Sequence, residues 1–522
     1  MNTSGFYISA TKRNSGKTSL AIAICRLLKQ KNFDVQPFKK GPDFIDPMWL
    51  SIASQRNCYN LDFYFLSGKK IVKHFIKNSI GSDISIVEGN HGLYDSTDLY
   101  GRTSNASLAK LLGLPVILVV DVSEMNRSIV PMILGFKDFD KDLSLNGLLL
   151  NKVHSKRHEK NLIKAVEYYT DINVVGAVPN DSEISIKQRH LGLVSTLNKE
   201  ELDGLIDKIA GKVSGYIDIP AILKISNVST GKIKMAGKID KPVNSLLVPA
   251  SDNSNAAGKH ASAPGAMSLP AGNNGIYNIN INGINDINNI NINNGNISNR
   301  KKRLKIGIAF DGAFNFYYNE NLEQLKDLGV ELDMFSPLND PVLPEVDAVY
   351  IGGGFPEVFA QDLEANYNIR RDIKEKVEYG LPVYAECGGL MYLCRSITYD
   401  ETKSAMVGII DADVKLTKKP KGHGYTMLKP LNHFGASWQW HQNIRSLKGH
   451  EFHHSFLDNM SNISFGFDVI RGHGVNGSND GIICKNVLAS FTHVYSKASP
   501  SWFKKWVSFI KNRNKLFFLD NL

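Results

Sequence analysis

Residues 5–19 read GFYISATKRNSGKTS, an apolar run followed by a loop that closes on Gly16, Lys17 and Thr18. The usual phosphate-binding loop is G-x-x-x-x-G-K-[ST], and Thr11 here occupies the place of its first glycine. The apolar run predicts a buried strand, and the residues from Lys17 onward predict a helix. A loop that joins a strand to the start of a helix is typical of nucleotide-binding α/β domains.

The alternation of strands and helices continues to about residue 235. Further strands are predicted at DVQPF (34–38), DISIVEG (83–89), PVILVVDV (115–122), LNGLLLN (145–151) and NVVGAV (173–178). Helical stretches such as SNASLAKLLG and HEKNLIKAVEYY separate them. Strands that are apolar on both faces, with helices between them, predict a doubly wound parallel sheet.

A low-complexity segment divides the chain between about residues 251 and 300. It begins with small polar residues and continues as the asparagine–isoleucine tract IYNININGINDINNININNGNISNR. The tract alternates with period two, as strands do, but its low complexity and scarcity of charge predict a disordered insertion without a catalytic role. Beyond it, LKIGIAF, AVYIGGG and LPVYAE predict the strands of a second α/β unit.

The composition of the 522-residue chain limits its class. This length predicts roughly two domains, and no apolar run reaches the about 18–20 residues that a membrane helix requires. The first residues lack the pattern of a signal peptide, and five scattered cysteines without metal-ligand spacing indicate the reducing cytoplasm. The net charge of +10 is not gathered in one basic tract, so we expect a small polyanionic substrate rather than nucleic acid or a membrane as partner.

The opening loop predicts an ATP site. Backbone N–H groups around Asn14, Ser15 and Gly16, together with the positive end of the helix, are placed to hold phosphates. Lys17 is expected to reach the β- and γ-phosphates, and the Thr18 hydroxyl to ligate Mg²⁺. ATP and Mg²⁺ are therefore the expected cofactors.

Acidic residues that follow two further strands are candidate metal ligands. QPFKKGPDFIDP carries Asp43 and Asp46, and IVEGNHGLYD carries Glu88. Ligands collect at the carboxyl ends of parallel strands, and Mg²⁺ binds one or two carboxylates together with phosphate oxygens. We therefore expect Asp43 and Glu88 to join Thr18 at the metal, whereas Asp46 fits a turn beside two prolines equally well.

Two more polar residues belong to the predicted nucleotide site. Lys39, at the end of its strand, adds positive charge for a transferring phosphoryl group. Asn151, at the end of GLLLNKV, either reads the nucleotide base or caps a turn, and the sequence leaves both interpretations open.

The stretch LPVYAECGGLMYL, residues 381–393, predicts a second catalytic site. A strand ends just before Cys387, and two glycines then lead into a helix, which is the pattern of a nucleophile elbow. Because the start of a helix stabilises a thiolate, Cys387 is expected to be a nucleophile. Upstream, YIGGGFPE supplies the backbone N–H groups of Gly353 and Gly354 for an oxyanion hole. His493, in NVLASFTHVYS, is the candidate base.

Together these stretches resemble the cobyrinate a,c-diamide synthase family, whose members are glutamine-dependent tetrapyrrole amidotransferases. The resemblance extends along almost the whole chain apart from the insertion. The matching stretches are QPFKKGPDFIDPMWL, VEGNHGLYD, SLAKLLGLPVILVVD, KQRHLGLV, FNFYYNENLEQL, YIGGGFPEVFA, YAECGGLMYL, GHGY, GHEFHHS and KNVLASFTHVYS.

The resemblance implies three regions. Residues 1–235 are expected to form an ATP-binding amidoligase domain similar to dethiobiotin synthetase, with a P-loop and a doubly wound sheet. Residues 236–302 are the expected low-complexity linker, and residues 303–522 the expected class I glutamine amidotransferase domain of α/β fold.

Within the second domain, the matching motifs imply that Cys387 is the glutaminase nucleophile and that His493 raises its nucleophilicity. In many such amidotransferases a glutamate lies two residues beyond the histidine, but Tyr495 occupies that place here. Two possibilities stay open: either a Cys–His dyad suffices, or another acid such as Glu451 orients the imidazole.

The implied reaction is ATP-dependent amidation of the a and c acetate carboxylates of cobyrinate by way of an acyl phosphate. Cys387 releases ammonia from L-glutamine, and an enclosed path must carry that ammonia to the second site. Relatives thought to amidate sirohaem or nickel-sirohydrochlorin leave other tetrapyrrole polycarboxylates open as acceptors. A partitioning-type regulatory ATPase is the alternative from another class.

Lys12 stands five residues before Lys17, which is the arrangement of deviant phosphate-binding loops with an extra signature lysine. Members of this ATPase class often pair such loops with a second subunit. The resemblance therefore implies a homodimer in which Lys12 acts across the interface.

Overall fold

The computed structural model describes residues 4–184, 199–228, 303–431 and 444–520. The predicted linker over 236–302 and the matching stretch KQRHLGLV lie outside the described residues. Within the described ranges, none of the helices combines the length and apolarity needed to cross a bilayer.

The N-terminal part is built on a seven-stranded sheet in which every pairing is parallel. Its strands are β1 (Gly5–Ala10), β2 (Val35–Lys40), β3 (Tyr59–Leu61), β4 (Ile84–Glu88), β5 (Val116–Asp121), β6 (Leu145–Val153) and β7 (Asn173–Pro179). They lie in the order β3-β2-β4-β1-β5-β6-β7. Every residue of β1, β2, β4 and β5 is buried, which explains why β1 and β5 are near-continuous apolar runs, whereas β2 also buries Gln36, Lys39 and Lys40.

Helices cover both faces of this sheet. They are α1 (Lys17–Gln30), α2 (Ile45–Ser54), α3 (Gly68–Ser79), α4 (Asn105–Leu112), α5 (Ile129–Asp138), α6 (Lys156–Tyr169), α7 (Lys199–Val213) and α8 (Ile219–Val228). Helices α1, α2, α7 and α8 contribute to one apolar cluster, and α3 to α6 contribute to a second cluster. The predicted doubly wound parallel sheet is therefore confirmed.

The topology brings the predicted nucleotide-site residues to one edge of the sheet. Strand β1 lies between β4 and β5, and β2 lies on the far side of β4. Because these strands are parallel, the loop after β1, Lys39 in β2 and Glu88 at the end of β4 meet at the same edge.

The C-terminal part contains a ten-stranded mixed sheet and a smaller four-stranded sheet. Its strands are β8 (Lys305–Ala309), β9 (Glu331–Phe335), β10 (Ala348–Ile351), β11 (Val383–Glu386), β12 (Cys394–Tyr399), β13 (Thr402–Ala405), β14 (Ile410–Leu416), β15 (Gly422–Pro430), β16 (Leu447–His453), β17 (Ser455–Asp458), β18 (Ser464–Arg471), β19 (Asn479–Cys484), β20 (Val487–Ser490) and β21 (His493–Val494). Its helices are α9 (Asn319–Asp327), α10 (Ala360–Ala365), α11 (Tyr367–Glu378), α12 (Gly388–Leu393) and α13 (Ser501–Asp520).

The large sheet of the C-terminal part changes from parallel to antiparallel along its width. Its order is β21-β16-β15-β18-β19-β20-β11-β10-β8-β9, and the smaller sheet is β13-β12-β14-β17. At one end of the large sheet, the neighbouring strands β20-β11-β10-β8-β9 all pair in parallel, as expected for an α/β unit. The remaining strands of the large sheet pair antiparallel. The last of them, β21, lies at the sheet edge and carries His493.

The two parts pack together through aromatic and polar side chains. Tyr318 and Tyr495, from the C-terminal part, belong to the apolar cluster that α3 to α6 form. The Tyr425 hydroxyl donates a hydrogen bond to Asp62 of the N-terminal part (2.6 Å). Phe44, between β2 and α2, lies with its ring centroid 4.6 Å from that of Tyr318. This contact places the loop before α2 beside the second sheet.

Candidate active site

The phosphate-binding loop has the tight geometry that its glycine requires. Gly16 has φ 84°, and a Cβ atom there would lie 2.2 Å from Nδ2 of Asn151. The same Nδ2 donates a hydrogen bond to the carbonyl of Ser15 (2.8 Å). Asn151 therefore stabilises the loop backbone, which supports its interpretation as a residue that fixes a turn.

The remaining loop residues are arranged around this turn. Asn14 has φ 61°, and its carbonyl accepts a hydrogen bond from Lys152 (3.4 Å). The Ser15 hydroxyl donates to the carbonyl of Lys12 (2.9 Å), while the Lys12 residue itself is exposed. The structure thus places Lys12 at the surface, apart from the buried end of the loop.

Three donors converge on one carboxylate oxygen behind the loop. Oε1 of Glu88 lies 2.7 Å from Nζ of Lys17 and 3.2 Å from Nζ of Lys39, and it accepts a hydrogen bond from the Thr18 hydroxyl (2.6 Å). Burial alone would raise the pKa of Glu88, but the two lysines and the hydrogen bonds hold it at about 2. Burial lowers the pKa of Lys17, and Glu88 offsets part of that effect.

Lys39 forms the centre of a second set of ion pairs. Its ammonium contacts the carboxylate of Asp46 and lies 3.8 Å from Oδ2 of Asp43. Burial alone would lower the pKa of Lys39, but Asp46, Glu88 and Asp43 raise it above its usual range. Oδ1 of Asp43 accepts backbone hydrogen bonds from Ile45 (2.9 Å) and Asp46 (3.2 Å) at the start of α2. The cluster therefore includes Asp46 as well as the residues that sequence reasoning selected.

The oxygen donors of this cluster fit a magnesium ion. Oε2 of Glu88 is buried without a hydrogen-bond partner, and the Thr18 hydroxyl also lies 3.4 Å from Oδ2 of Asp46. In the described part of the chain, no group of three or more His, Cys, Asp and Glu side chains is arranged to hold a metal. Mg²⁺ binds one or two carboxylates and takes its other ligands from water and phosphate, so the Glu88 and Asp46 oxygens beside the Thr18 hydroxyl suit it. Ligation by Thr18, Asp43 and Glu88 stays a prediction, to which the geometry adds Asp46.

Cys387 occupies a strained turn between β11 and α12. Its backbone has φ 49° and ψ −102°, and its N–H donates to the carbonyl of Ser490 (2.7 Å). A Cβ atom on Gly388 would lie 3.0 Å from the amide nitrogen of Gly354, and one on Gly389 would lie 2.3 Å from the carbonyl oxygen of Ile351. Only small residues fit beside this cysteine, as a nucleophile elbow requires.

The expected stabilisation of the Cys387 thiolate by the helix start is present in this structure but is outweighed by burial. Burial raises the pKa of the thiol above its usual range, and the negative charge of Glu357 raises it further. A hydrogen bond from the Gly388 amide opposes them only in part. The thiol is therefore protonated at rest and needs a base.

His493 and Cys387 line the same cavity. The His493 ring stacks on that of His450 (centroids 5.1 Å apart) and contacts Phe44 (4.9 Å). A Cβ atom on Gly353 would lie 2.3 Å from Cε1 of His493, so the predicted oxyanion glycines and the predicted base are brought together.

Among the described residues, Glu386 is the carboxylate within ion-pair distance of His493. Its Oε2 lies 3.8 Å from Nδ1 of His493, which is buried without a hydrogen-bond partner. The hydroxyl of Tyr495 instead donates to Glu320 (3.0 Å) within the contact between the two parts of the chain. The carboxylate of Glu451 accepts hydrogen bonds from the backbone N–H groups of residues 473 and 474. The geometry therefore favours Glu386 over Glu451 as the acid near the imidazole.

The cavity lies between the two parts of the chain and has a volume of about 280 Å³. The segment 42–45 contributes to its wall, so Asp43 belongs both to this wall and to the Lys39 cluster. Sequence reasoning missed the cavity residues Phe44, Glu357 and His450. The only signal for Glu357 is its position at the end of YIGGGFPE, directly after the oxyanion glycines.

Comparison with known proteins assigns both parts of the chain to families. Residues 6–194 match the model of the CobQ/CobB/MinD/ParA nucleotide binding domain, and residues 305–500 match that of the CobB/CobQ-like glutamine amidotransferase domain. A cobyrinate a,c-diamide synthase of Magnetococcus marinus is 34% identical over 95% of each chain. The chain is similar to two further proteins of that name. The one from Archaeoglobus fulgidus is 35% identical over 96% of each chain, and the one from Picrophilus torridus is 37% identical over 96% of this chain and 97% of the relative.

Proposed function

The chain belongs to the cobyrinate a,c-diamide synthase family and is a glutamine-dependent amide ligase, and on that premise we propose that it converts the a and c acetate carboxylates of cobyrinate to amides with ATP. The observation that carries the proposal is the cavity between the two parts of the chain. Its lining includes Cys387 and His493 from the C-terminal part and Asp43, of the nucleotide-site cluster, from the N-terminal part.

In the first step an oxygen of the acceptor carboxylate attacks the γ-phosphorus of ATP, which forms an acyl phosphate and releases ADP. The loop N–H groups and Lys17 hold the phosphates, and Lys39 offsets negative charge on the transferring group. A bound Mg²⁺, held by Thr18, Glu88 and an aspartate, would neutralise phosphate charge. The convergence of both lysines on Glu88 in the resting site supports these roles, because a nucleotide can take over their ammonium groups.

In the second site the Cys387 thiol transfers its proton to His493 and attacks the carboxamide carbon of glutamine. The N–H groups of Gly353 and Gly354 stabilise the oxyanion, and His493 returns the proton to the departing ammonia. Water then hydrolyses the glutamyl thioester. Glu386 positions the imidazole and stabilises its protonated form, as the carboxylate 3.8 Å from Nδ1.

Ammonia must reach the acyl phosphate without being protonated by bulk water. We place its path through the cavity and past the segment 42–45. Support comes from Phe44, which contacts His493 on one side and adjoins Asp43 of the nucleotide cluster on the other. In this proposal Lys12, exposed on the loop, contacts a nucleotide bound by a second copy of the chain, and the enzyme works in the cytoplasm.

The proposed acceptor is tested by incubating the full-length protein with ATP, Mg²⁺, glutamine and one tetrapyrrole at a time. We expect mass spectrometry to find two carboxylate-to-amide conversions on cobyrinate and none on sirohaem or nickel-sirohydrochlorin. Amidation of either of those acceptors but not of cobyrinate would contradict the acceptor while leaving the chemistry intact. ATP hydrolysis without amidation of any acceptor would favour a regulatory ATPase.

Replacement of Glu386 by glutamine is expected to lower kcat of glutamine hydrolysis by about 10²-fold with little change in KM. Glutamine keeps the size of the side chain and can still accept the hydrogen bond from Tyr384 through its one oxygen. The amide nitrogen that replaces Oε2 cannot accept from Tyr350, and the side chain carries no charge for His493. Steady-state glutaminase assays measure both constants, and amidation with free ammonia should be unchanged.

The exposed Glu375→Gln variant on α11 is the matched control for loss of one negative charge. The Glu386→Asp variant should recover part of kcat. A Glu386→Gln protein that folds and hydrolyses glutamine at the wild-type rate would show that a Cys–His dyad suffices.

A further inference from the structure

Glu357 places a buried, unpaired carboxylate oxygen beside the nucleophile. Glu357 and Cys387 line the same cavity, and Oε2 of Glu357 is inaccessible to solvent and has no hydrogen-bond partner. A carboxylate kept from water without a partner costs free energy, and a buried unpaired oxygen that lines a catalytic cavity is explained by a functional role or by a bound group that completes it. The geometry therefore indicates a missing partner within the cavity.

The other carboxylates of the cavity wall already have partners. Glu451 accepts two backbone hydrogen bonds and lies 3.7 Å from Nε2 of His453. Asp43 faces the ammonium of Lys39 at 3.8 Å. In the described part of the chain, Glu357 has no ion pair with a Lys, Arg or His side chain. The missing partner of Glu357 is therefore a cation that the described residues do not provide.

The substrate of the proposed reaction carries such a cation. Glutamine is a zwitterion whose α-ammonium group is separated by three carbon atoms from the carboxamide carbon that Cys387 attacks. Resting on the proposed glutamine hydrolysis, we propose that Glu357 binds the α-ammonium group of glutamine and so selects α-amino amides. This role differs from that of Glu386, which lies next to His493 and is outside the cavity wall.

The same contact connects substrate binding to activation of the nucleophile. Three carboxylates, Glu357, Glu386 and Glu451, oppose ionisation of the Cys387 thiol, and Glu357 has the largest electrostatic effect of the three. Burial raises the pKa of Glu357 itself to about 7, which reflects the absence of a compensating cation. An ammonium group bound at Glu357 cancels its effect on the thiol, so Cys387 becomes easier to deprotonate once glutamine is bound.

The test compares glutamine with glutaramate, which is glutamine without its α-amino group, in the full-length protein. We expect the wild type to hydrolyse glutamine with a much higher kcat/KM than glutaramate. Glu357→Gln should lower kcat/KM for glutamine by about 30-fold or more, mainly through KM. It should not lower kcat/KM for glutaramate, which has no α-ammonium group to lose and meets a thiol that is easier to deprotonate. Glu357→Asp should recover part of the discrimination, because it keeps the charge.

A second measurement follows the thiol without glutamine. Alkylation of Cys387 by iodoacetamide at about pH 8.5, above the pKa of Glu357, should be several-fold faster in Glu357→Gln than in the wild type, because one opposing charge is gone. A Cys387→Ser protein gives the background from the other cysteines. The exposed Glu345→Gln variant controls for net charge and should alkylate at the wild-type rate.

Two outcomes would overturn this inference. One is wild-type discrimination between glutamine and glutaramate in Glu357→Gln, and the other is an unchanged alkylation rate in that variant. Both are distinct from failure of the proposed function, in which the wild-type protein itself would not hydrolyse glutamine. Ammonia-driven amidation should be the same in all these variants, which shows that the first domain is intact.

Discussion

Cys387→Ser is expected to abolish glutamine-driven amidation while amidation with free ammonia continues at the wild-type rate. The thiol is the only group proposed to attack the carboxamide, and a serine hydroxyl in the same buried turn is a far weaker nucleophile for His493 to activate. We expect a loss of about 10³-fold or more in glutaminase kcat, because the members of such a site act as a unit. Mass spectrometry of the amide product, formed with glutamine and separately with free ammonia, measures both the expected loss and the expected retention.

The chain offers a matched control for this substitution. Cys484, on β19, is only partly buried and lies outside the cavity wall, so Cys484→Ser should leave both activities unchanged. Undiminished glutamine hydrolysis in Cys387→Ser would remove Cys387 from the mechanism. Loss of ammonia-driven amidation as well would mean that the variant disturbs the nucleotide site, contrary to the separation of the two centres proposed here.

Much of the first sheet could be predicted from the sequence because parallel buried strands leave a simple pattern. Strands β1, β2, β4 and β5 are buried along their whole length, and β1 and β5 are nearly continuous apolar runs. The antiparallel half of the second sheet left no such pattern. Strand β15 mixes buried and exposed positions over GHGYTMLKP, so its histidine, tyrosine and lysine resemble loop residues until the neighbouring strands are known.

The catalytic cysteine could be located because a nucleophile elbow is a local feature. The glycines after Cys387 follow from the space available within the turn itself. Its pKa could not be predicted, because burial and the charge of Glu357 come from packing rather than from the elbow. Glu386 and His493 are 107 residues apart (493 − 386), and a glutamate that ends a strand gives no local sign of a distant imidazole.

In the nucleotide-site cluster, too, the sequence alone could not determine which of two nearby carboxylates faces the other site residues. Asp43 and Asp46 are three positions apart, and the sequence alone favoured Asp43 as the ligand. Because α2 begins between them, Asp43 bonds to the start of the helix while Asp46 turns toward Lys39 and Thr18. Helix geometry, which depends on where the helix begins, thus determines which carboxylate faces the cluster.

Lys17→Ala is expected to abolish amidation with either nitrogen source while glutamine hydrolysis continues. The Lys17 ammonium is within 2.7 Å of Glu88 in the resting site, and it is the loop cation proposed to move onto the β- and γ-phosphates. Removing a preorganised charge from a phosphoryl-transfer site typically costs about 10²–10³-fold in rate, and here the loss should be at the upper end. The substitution also removes one of the two lysines that keep Glu88 ionised, which weakens the proposed Mg²⁺ site at the same time.

Lys29→Ala, on the same helix but paired with Asp34 near the surface, is the control for losing one positive charge from α1. The Lys29→Ala variant should retain amidation with glutamine and amidation with free ammonia. The cavity that holds Cys387 and His493 contains no residue of the loop or of α1, so glutaminase activity in Lys17→Ala should match the wild type. Normal ammonia-driven turnover in Lys17→Ala would refute the nucleotide-site assignment. A parallel loss of glutaminase would instead mean that nucleotide binding controls the second site, through the segment 42–45 that adjoins both.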